Sequence, residues 1–269
     1  MGSCSTRYPI LLLHGMNFGD RLPLHRYWGR IPEELRKRGA VVYLSNHDGN
    51  ATIQENAAYL VPLIRRILRE TGAEKVNIIA HSKGGLEARY LISTLGEAEH
   101  IASVTTLGTP HNGSPTVDAL LEKYPEQIRK GSRIFDKVRR IAGDRHPQTM
   151  EVIRQFTTEY MRKFNILNQD VHGVFCQSYA FLMSHWYNDL LLSLPYRIVD
   201  RYEGKNDGLV SPKSAKWKNF RGTLKGLSHA NVIDFLHTEN LTGAEKDTRF
   251  VALTQIYIQI IEDLKVRGM

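Results

Sequence analysis

The sequence predicts an α/β fold: a mostly parallel sheet flanked by helices, with an inserted helical cap. Three features predict it. A short, almost wholly apolar run at 8–13 (YPILLL) reads as a buried parallel strand, and further strands are expected at 41–45, 75–80 (KVNIIA) and 101–107. Helical patterns separate them, giving the order βαβαβαβ of a parallel sheet wrapped by helices. From 114 to 170 this alternation gives way to a helical, basic and irregular stretch.

The first strand ends in His14-Gly15, a tight turn. Residues 27–38 are expected to be helical, with Pro32 near the first turn and Gly39 past the end. A strand over 41–45 follows. Thr52-Ile53-Gln54-Glu55 is a capping box. Behind it Ile53, Ala57, Leu60, Val61, Ile64, Ile67 and Leu68 share one helical face, and Gly72 ends the helix. The strand over 75–80, a helix over 86–95 and the strand over 101–107 complete the first half. Beyond the insertion, strands are expected at 173–181 (GVFCQSYAF) and 196–201, with an apolar patch at 182–194 between them. A final amphipathic helix carries Phe250, Leu253, Tyr257, Ile260, Ile261 and Leu264. There is no internal repeat. The expected organisation is one domain over 1–269 with a cap or lid inserted over 114–170.

The 269 residues are 42% hydrophobic, enough for a full core and against disorder. The formal net charge of +8 favours acidic surfaces, either nucleic acid or anionic lipid, although a merely basic soluble protein is the plainer reading. No nucleic-acid-binding motif supports the first of these. No stretch reaches the roughly 18 apolar residues of a membrane span. No apolar signal region precedes the first strand, so the expected location is cytoplasmic, with secretion after signal removal as the alternative. The start fits a myristoylation pattern from Gly2 to Thr6, discounted because such small-residue starts are common. Cys4 and Cys176 fit no metal-ligand spacing and are not expected to pair.

Ala80-His81-Ser82-Lys83-Gly84 follows an apolar strand and opens a helix, the context of a nucleophile elbow with Ala in place of the usual first Gly. Small residues flank the serine because so sharp a turn has no room for larger ones. Ser82 is therefore the expected nucleophile. A serine hydroxyl needs a base, and the base an orienting acid, in the chain order Ser, acid, His. The best acid is Asp207, in Gly204-Lys205-Asn206-Asp207-Gly208 just past the expected strand over 196–201. Asp200 competes but falls inside that strand. Asn-Asp-Gly is also good turn chemistry, and Asp207 can serve both purposes. Of the 11 histidines only His229 and His237 follow this acid. His229 lies in a loop-like Gly226-Leu227-Ser228-His229 and is the expected base; His237 follows an apolar run and reads as an ordinary packed or surface histidine. An oxyanion needs two backbone N–H donors. Lys83, after the nucleophile, supplies one, and Met16, in the turn after the first strand, the other.

With these residues in place, YPILLLHGM, AHSKGGLEARYL, VTTLGTPHNGS and NDGLVS resemble the bacterial true lipases typified by the Pseudomonas and Burkholderia enzymes. RYWGRIP, FTTEYMRKFN and GVFCQSYAF add to the likeness, which runs from Tyr8 to His229. The resemblance implies a minimal α/β-hydrolase sheet lacking two leading strands and a helical lid over the active site. Carried over by motif, it implies the triad Ser82, Asp207 and His229, with Met16 and Lys83 as oxyanion donors. Three departures stand out. The elbow begins with Ala. The family's calcium site uses an Asp two residues after the catalytic His, where this chain has Asn231; Asp234 is the alternative ligand, and no cofactor is expected to be required. The family's disulfide has no counterpart, which with the missing signal leans towards an intracellular enzyme.

In the insertion, Ile128, Ile134, Phe135, Val138 and Ile141 alternate with Arg129, Lys130, Arg133, Lys137, Arg139 and Arg140. Such a basic amphipathic segment can lie on anionic lipid. The plainer expectation is a cap whose apolar face covers the site and whose charges face water. The expected function is carboxylic ester hydrolysis, of the lipase or esterase type, on a lipid or small ester substrate, with transient contact to an anionic lipid interface and no nucleic acid. An acyltransferase or thioesterase would use the same machinery. A non-catalytic lipid-binding module would be expected to lack a triad member, and none is missing.

Overall fold

The structure, a computed structural model, describes residues 3–16, 27–235 and 243–269. Six strands form one sheet: β1 (Ile10–Leu13), β2 (Val42–Leu44), β3 (Val76–His81), β4 (Ile101–Leu107), β5 (Phe175–Leu182) and β6 (Phe220–Lys225). All neighbours are parallel, in the order β2-β1-β3-β4-β5-β6. Every residue of β1, β3 and β4 is buried, which is why β1 is an apolar run and why β3 and β4 show no polar–apolar alternation. The strand order reverses between β1 and β3. Crevices at the carboxyl ends of strands at such a reversal are where open α/β sheets bind ligands.

Alternate residues of β1 point to opposite faces. Ile10 and Leu12 pack with α1 (Ile31–Lys37) and α10 (Gly243–Val266), whose Leu253, Tyr257, Ile260, Ile261 and Leu264 are buried. Leu11 and Leu13 pack with α2 (Ile53–Thr71) and α3 (Lys83–Ser93) on the other face. The capping box forms at α2: Thr52 Oγ1 accepts the Glu55 N–H and Glu55 Oε2 accepts the Thr52 N–H. Gly72 closes that helix in the left-handed conformation, at φ 68°. Cys4 and Cys176 are both free and buried, in the clusters on opposite faces of the sheet. Burial pushes the Cys176 thiol up to about 12, so it is protonated and inert.

Between β4 and β5 the chain runs through α4 (Pro115–Lys123), α5 (Pro125–Ile141), α6 (Thr149–Gln155) and α7 (Thr158–Leu167), filling the segment expected to be an insertion. Between β5 and β6 lie α8 (Ser193–Glu203) and the single turn α9 (Pro212–Ala215). Here the sequence reading needs two corrections. Residues 196–201 are not a strand but part of α8, whose Tyr196 and Val199, with Leu192 just before the helix, are buried at helical spacing. The last strand is β6, which is only half-buried and was not anticipated. The first expected helix also begins later, at Ile31, because 27–30 form a turn with Gly29 at φ 48°.

Candidate active site

β3 runs straight into Ser82, which has φ 54° and ψ −128°, a conformation that costs a non-glycine residue roughly 1–3 kcal/mol. Its neighbours hold it there. Ser82 N–H donates to the Leu107 carbonyl at 3.0 Å, and Thr109 Oγ1 donates to the Ser82 carbonyl at 2.7 Å. The flanking glycines are steric necessities. A Cβ at Gly84 would stand 2.7 Å from the His14 carbonyl oxygen, and one at Gly85 would collide with Thr109.

Asp207 is buried in the connection between α8 and α9. Its Oδ1 accepts the N–H groups of Leu209 at 3.0 Å and Val210 at 2.8 Å, so it is a turn residue. Its Oδ2 lies 2.8 Å from His229 Nδ1. A carboxylate only accepts, so Nδ1 carries the proton and Nε2 is left as an acceptor. The backbone repeats the link, His229 N–H donating to the Asp207 carbonyl at 2.7 Å. Gly108, at the end of β4, lies under the pair: a Cβ there would come 3.1 Å from Asp207 Oδ2 and 3.3 Å from His229 Nδ1. The His229 ring lies 4.3 Å, centroid to centroid, from that of His81, the residue before Ser82. Asp200 is exposed on α8, lining a different groove with Tyr124 and Arg197. His237 lies outside the described residues.

Met16 and Lys83 adjoin this centre. Lys83 opens α3, where first-turn N–H groups have no partner within the helix. Met16 lines a cavity of about 280 Å³ with Leu191, Pro195, Leu209, His229 and Phe235. The walls are largely apolar, and the volume sits at the lower edge of the roughly 300–1,000 Å³ usual for ligand pockets.

Three further features were not anticipated. Tyr27 joins the two halves of the site. Its hydroxyl accepts the Gly15 N–H at 2.7 Å and lies 2.6 Å from His81 Nδ1. Burial, with the nearby His229, holds the His81 pKa well below its usual range, so His81 is neutral and accepts the Tyr27 proton. Next, the Lys83 side chain turns inward. Its Nζ, wholly buried, donates to Glu87 Oε1 at 2.5 Å and to the Ala51 carbonyl at 2.8 Å. Burial pushes the Glu87 carboxyl up, but His47 Nε2 at 3.0 Å and Lys83 outweigh it and hold the carboxyl well below the usual range. The His47 ring stacks on that of His14 at 3.7 Å, just before the Met16 turn. The i,i+4 spacing of Lys83 and Glu87 was the available signal. Finally, Arg30 forks onto Asp234, with Nε and a terminal nitrogen each at 2.8 Å, clamping the 27–30 turn to the loop beyond His229.

The insertion departs from the plainer expectation. On α5, Ile134, Val138 and Ile141 face solvent, Ile141 being 88% exposed. Arg139 is buried instead, in a bidentate pair with Asp144. Polar anchors determine which face is inward: Asp136 Oδ1 also accepts the Thr149 N–H at 2.8 Å. Trp186, Tyr187, Leu190, Leu191 and Leu194 are exposed as well; Leu191 lines the cavity, whereas Trp186 and Leu194 line the groove that holds Asp200.

A family model described as palmitoyl protein thioesterase matches residues 9–235. Triacylglycerol lipase 2 of Saccharomyces cerevisiae is 31% identical over 259 residues, 90% of this chain and 74% of the yeast protein. The chain belongs to the lipase family of α/β-hydrolases. Family membership makes it a carboxylic ester hydrolase with a serine nucleophile. A triacylglycerol lipase of Burkholderia plantarii is 39% identical over 122 residues, but these cover 42% of this chain and 32% of that lipase. The fold of a metagenomic carboxyl esterase, MGS0156, superposes with a TM-score of 0.72 at 17% identity, covering 98% of this chain and 78% of the esterase. No helix among the described residues is long and apolar enough to cross a membrane.

Proposed function

We propose that the chain hydrolyses carboxylic esters of lipids through an acyl-enzyme on Ser82. The observation that supports this most is the buried His229–Asp207 contact at 2.8 Å beside the strained Ser82 elbow. In this reading Ser82 Oγ attacks the ester carbonyl while His229 Nε2 takes its proton. The proton then goes to the departing alcohol as the tetrahedral intermediate collapses. Water, deprotonated by the same nitrogen, releases the acid and restores the serine. Asp207 holds the imidazole in the tautomer this requires and stabilises the imidazolium. The N–H groups of Met16 and Lys83 receive the oxyanion, each such donor being worth roughly 10²–10³ in rate. A single acyl chain suits the largely apolar cavity under Leu191 and Leu209. No metal has a part in these steps. The likeness in motifs supports a relation to the Pseudomonas and Burkholderia type of lipase.

The segment 114–170 is read as a lid. The exposed stripe Ile134, Val138 and Ile141, set among Lys130, Arg133, Lys137 and Arg140, suits an anionic lipid interface by apolar insertion and charge together. Neither buried cysteine can reach the other, so a reducing, cytoplasmic setting suits the chain. The experiment that tests the central reading is labelling with a fluorophosphonate probe, with and without Ser82→Ala. Wild-type labelling lost in the variant supports it, and equal labelling of both refutes it.

The matching family model favours a second reading, cleavage of acyl thioesters on the same machinery. Parallel turnover of p-nitrophenyl esters and acyl thioesters of matched chain length separates the two. A thioester preference would replace the lipid ester as substrate class.

A further inference from the structure

Asp189 sits between β5 and α8, fully buried, and each of its oxygens is occupied. Oδ1 accepts the N–H groups of Leu191 at 3.0 Å and Leu192 at 3.3 Å. Oδ2 accepts the Ser228 hydroxyl at 2.6 Å and faces Asn231 Nδ2 at 3.5 Å. The Ser228 hydroxyl accepts the Asn231 N–H at 3.0 Å in turn. Ser228 immediately precedes His229, so this knot holds the backbone that carries the base, independently of the Asp207 contact. Arg249, half-buried on α10, donates to the Gly226 carbonyl at 3.1 Å, and the negative charge of Asp189 favours its charged form against burial.

The family resemblance implies calcium here, and the residues do not fit it. Calcium takes six to eight oxygen ligands and gains affinity from carboxylates. Asp189 is the only carboxylate in this knot, and its lone pairs point at four donors rather than at a vacant centre. Asn231 replaces the second acid. Asp234, the alternative ligand, is held in the fork of Arg30. Among the described residues no cluster of three or more His, Cys, Asp or Glu is arranged to hold a metal.

We propose that Asp189 is a positioning residue for His229, and that Ser228, Asn231 and Arg249 do through hydrogen bonds and fixed charge what a bound cation would do. The loop 226–231 is thereby tied to 189–192, and the enzyme works without metal. This rests on reading His229 as the base.

The test is steady-state hydrolysis of p-nitrophenyl butyrate by the full chain, with EDTA or with millimolar calcium chloride. Wild type is expected to be equally active in both. Asp189→Asn keeps the volume but turns an acceptor into a donor facing donors. It is expected to lower kcat roughly 10–100-fold, the scale for a displaced catalytic group, with KM changed less than about twofold. Asn231→Asp sets two carboxylates face to face. It is expected to be slow in EDTA and to recover in calcium in the same sample, which excludes misfolding as the cause. Wild-type activity that falls in EDTA and returns with calcium would overturn the proposal. So would Asp189→Asn with unchanged kcat, or Asn231→Asp indifferent to both additives. An active His229→Ala would defeat the base assignment instead. An inactive His229→Ala beside a fully active Asp189→Asn would defeat this inference alone.

Discussion

The Tyr27 hydroxyl and the His81 Nδ1 stand 2.6 Å apart, and that contact ties the turn after β1 to the strand end that carries Ser82. The same hydroxyl receives the Gly15 N–H, one residue before the proposed oxyanion donor. Tyr27→Phe removes this strut but keeps the ring packed on Trp28 and Phe235. Its expected effect is a loss of roughly tenfold in kcat, about 1.4 kcal/mol of transition-state binding. KM should hardly move, because Tyr27 lines the apolar cavity and phenylalanine keeps that lining apolar. A raised KM with unchanged kcat would show that Tyr27 touches substrate and does not brace the oxyanion turn.

Ser82→Ala and His229→Ala are each expected to abolish ester hydrolysis, since members of a triad act as a unit. Asp207→Asn should lower kcat by about 10⁴ through the wrong imidazole tautomer. Asp200→Asn, exposed on α8, should be mild; a ranking with Asp200 the worse would mean the acid is misassigned. The φ of 54° at Ser82 adds a stability prediction. Glycine at this position relieves roughly 1–3 kcal/mol of strain against about 0.5–1 kcal/mol of added chain entropy. Ser82→Gly should therefore melt above Ser82→Ala in calorimetry.

His81 and His111 are buried with pKa values well below 6.5, His81 through burial and the nearby His229, His111 through burial and the nearby Arg89. Between their folded pKa values and 6.5 the unfolded chain binds more protons. Stability is therefore full above 6.5 and falls as the pH drops below it. Urea midpoints measured from neutral to mildly acidic pH should decline over that window. Flat midpoints would mean that both rings find a partner when protonated.

The Lys83–Glu87 pair is fully buried; losing Glu87 leaves Lys83 without its counter-charge, and losing Lys83 leaves the Glu87 carboxylate only His47 and the Asn56 amide. Lys83→Met and Glu87→Gln should each cost about 3–5 kcal/mol in denaturant unfolding. The double variant should cost clearly less than the sum, because it removes both members of the pair together. Additive losses would show that the two groups do not stabilise each other.

Replacing Arg133, Lys137 and Arg140 with Glu should weaken activity on anionic vesicles, each lost basic residue removing about 1 kcal/mol of attraction at low salt. Hydrolysis of a short soluble ester should persist. Arg139 must be spared, since it is buried against Asp144. Parallel loss on both substrates, or none on either, would make the insertion a static cover.

Much of the molecule can be read from the chain because its signals are local. The apolar run of β1, the capping box at Thr52 and the strand–Ser82–helix junction need only neighbouring residues. The choice of Asp207 and His229, which the structure brings within 2.8 Å, follows from chain order. The errors arise where burial or distance decides. Tyr196, Ile198 and Val199 look like strand residues, but Pro195 in the first turn and the spacing of Leu192, Tyr196 and Val199 favour α8. β6 is polar, half-exposed and interrupted by Gly222, so it carries no alternation. Tyr27 reaches His81 across 54 positions, and Asp189 reaches Ser228 across 39; no local pattern announces either. The outward stripe on α5 depends on Arg139 finding Asp144, which periodicity alone does not show.

The clamp between Arg30 and Asp234 joins positions 204 apart in the chain. Closing so long a loop is unfavourable until other contacts have brought its ends together. Ser82, Asp207 and His229 can form as local turns earlier, yet the 27–30 turn is fastened to the loop beyond His229 only when this closure is made. Recovery of esterase activity during refolding should therefore lag behind the return of helical circular dichroism, and turnover becomes a reporter of long-range closure in folding.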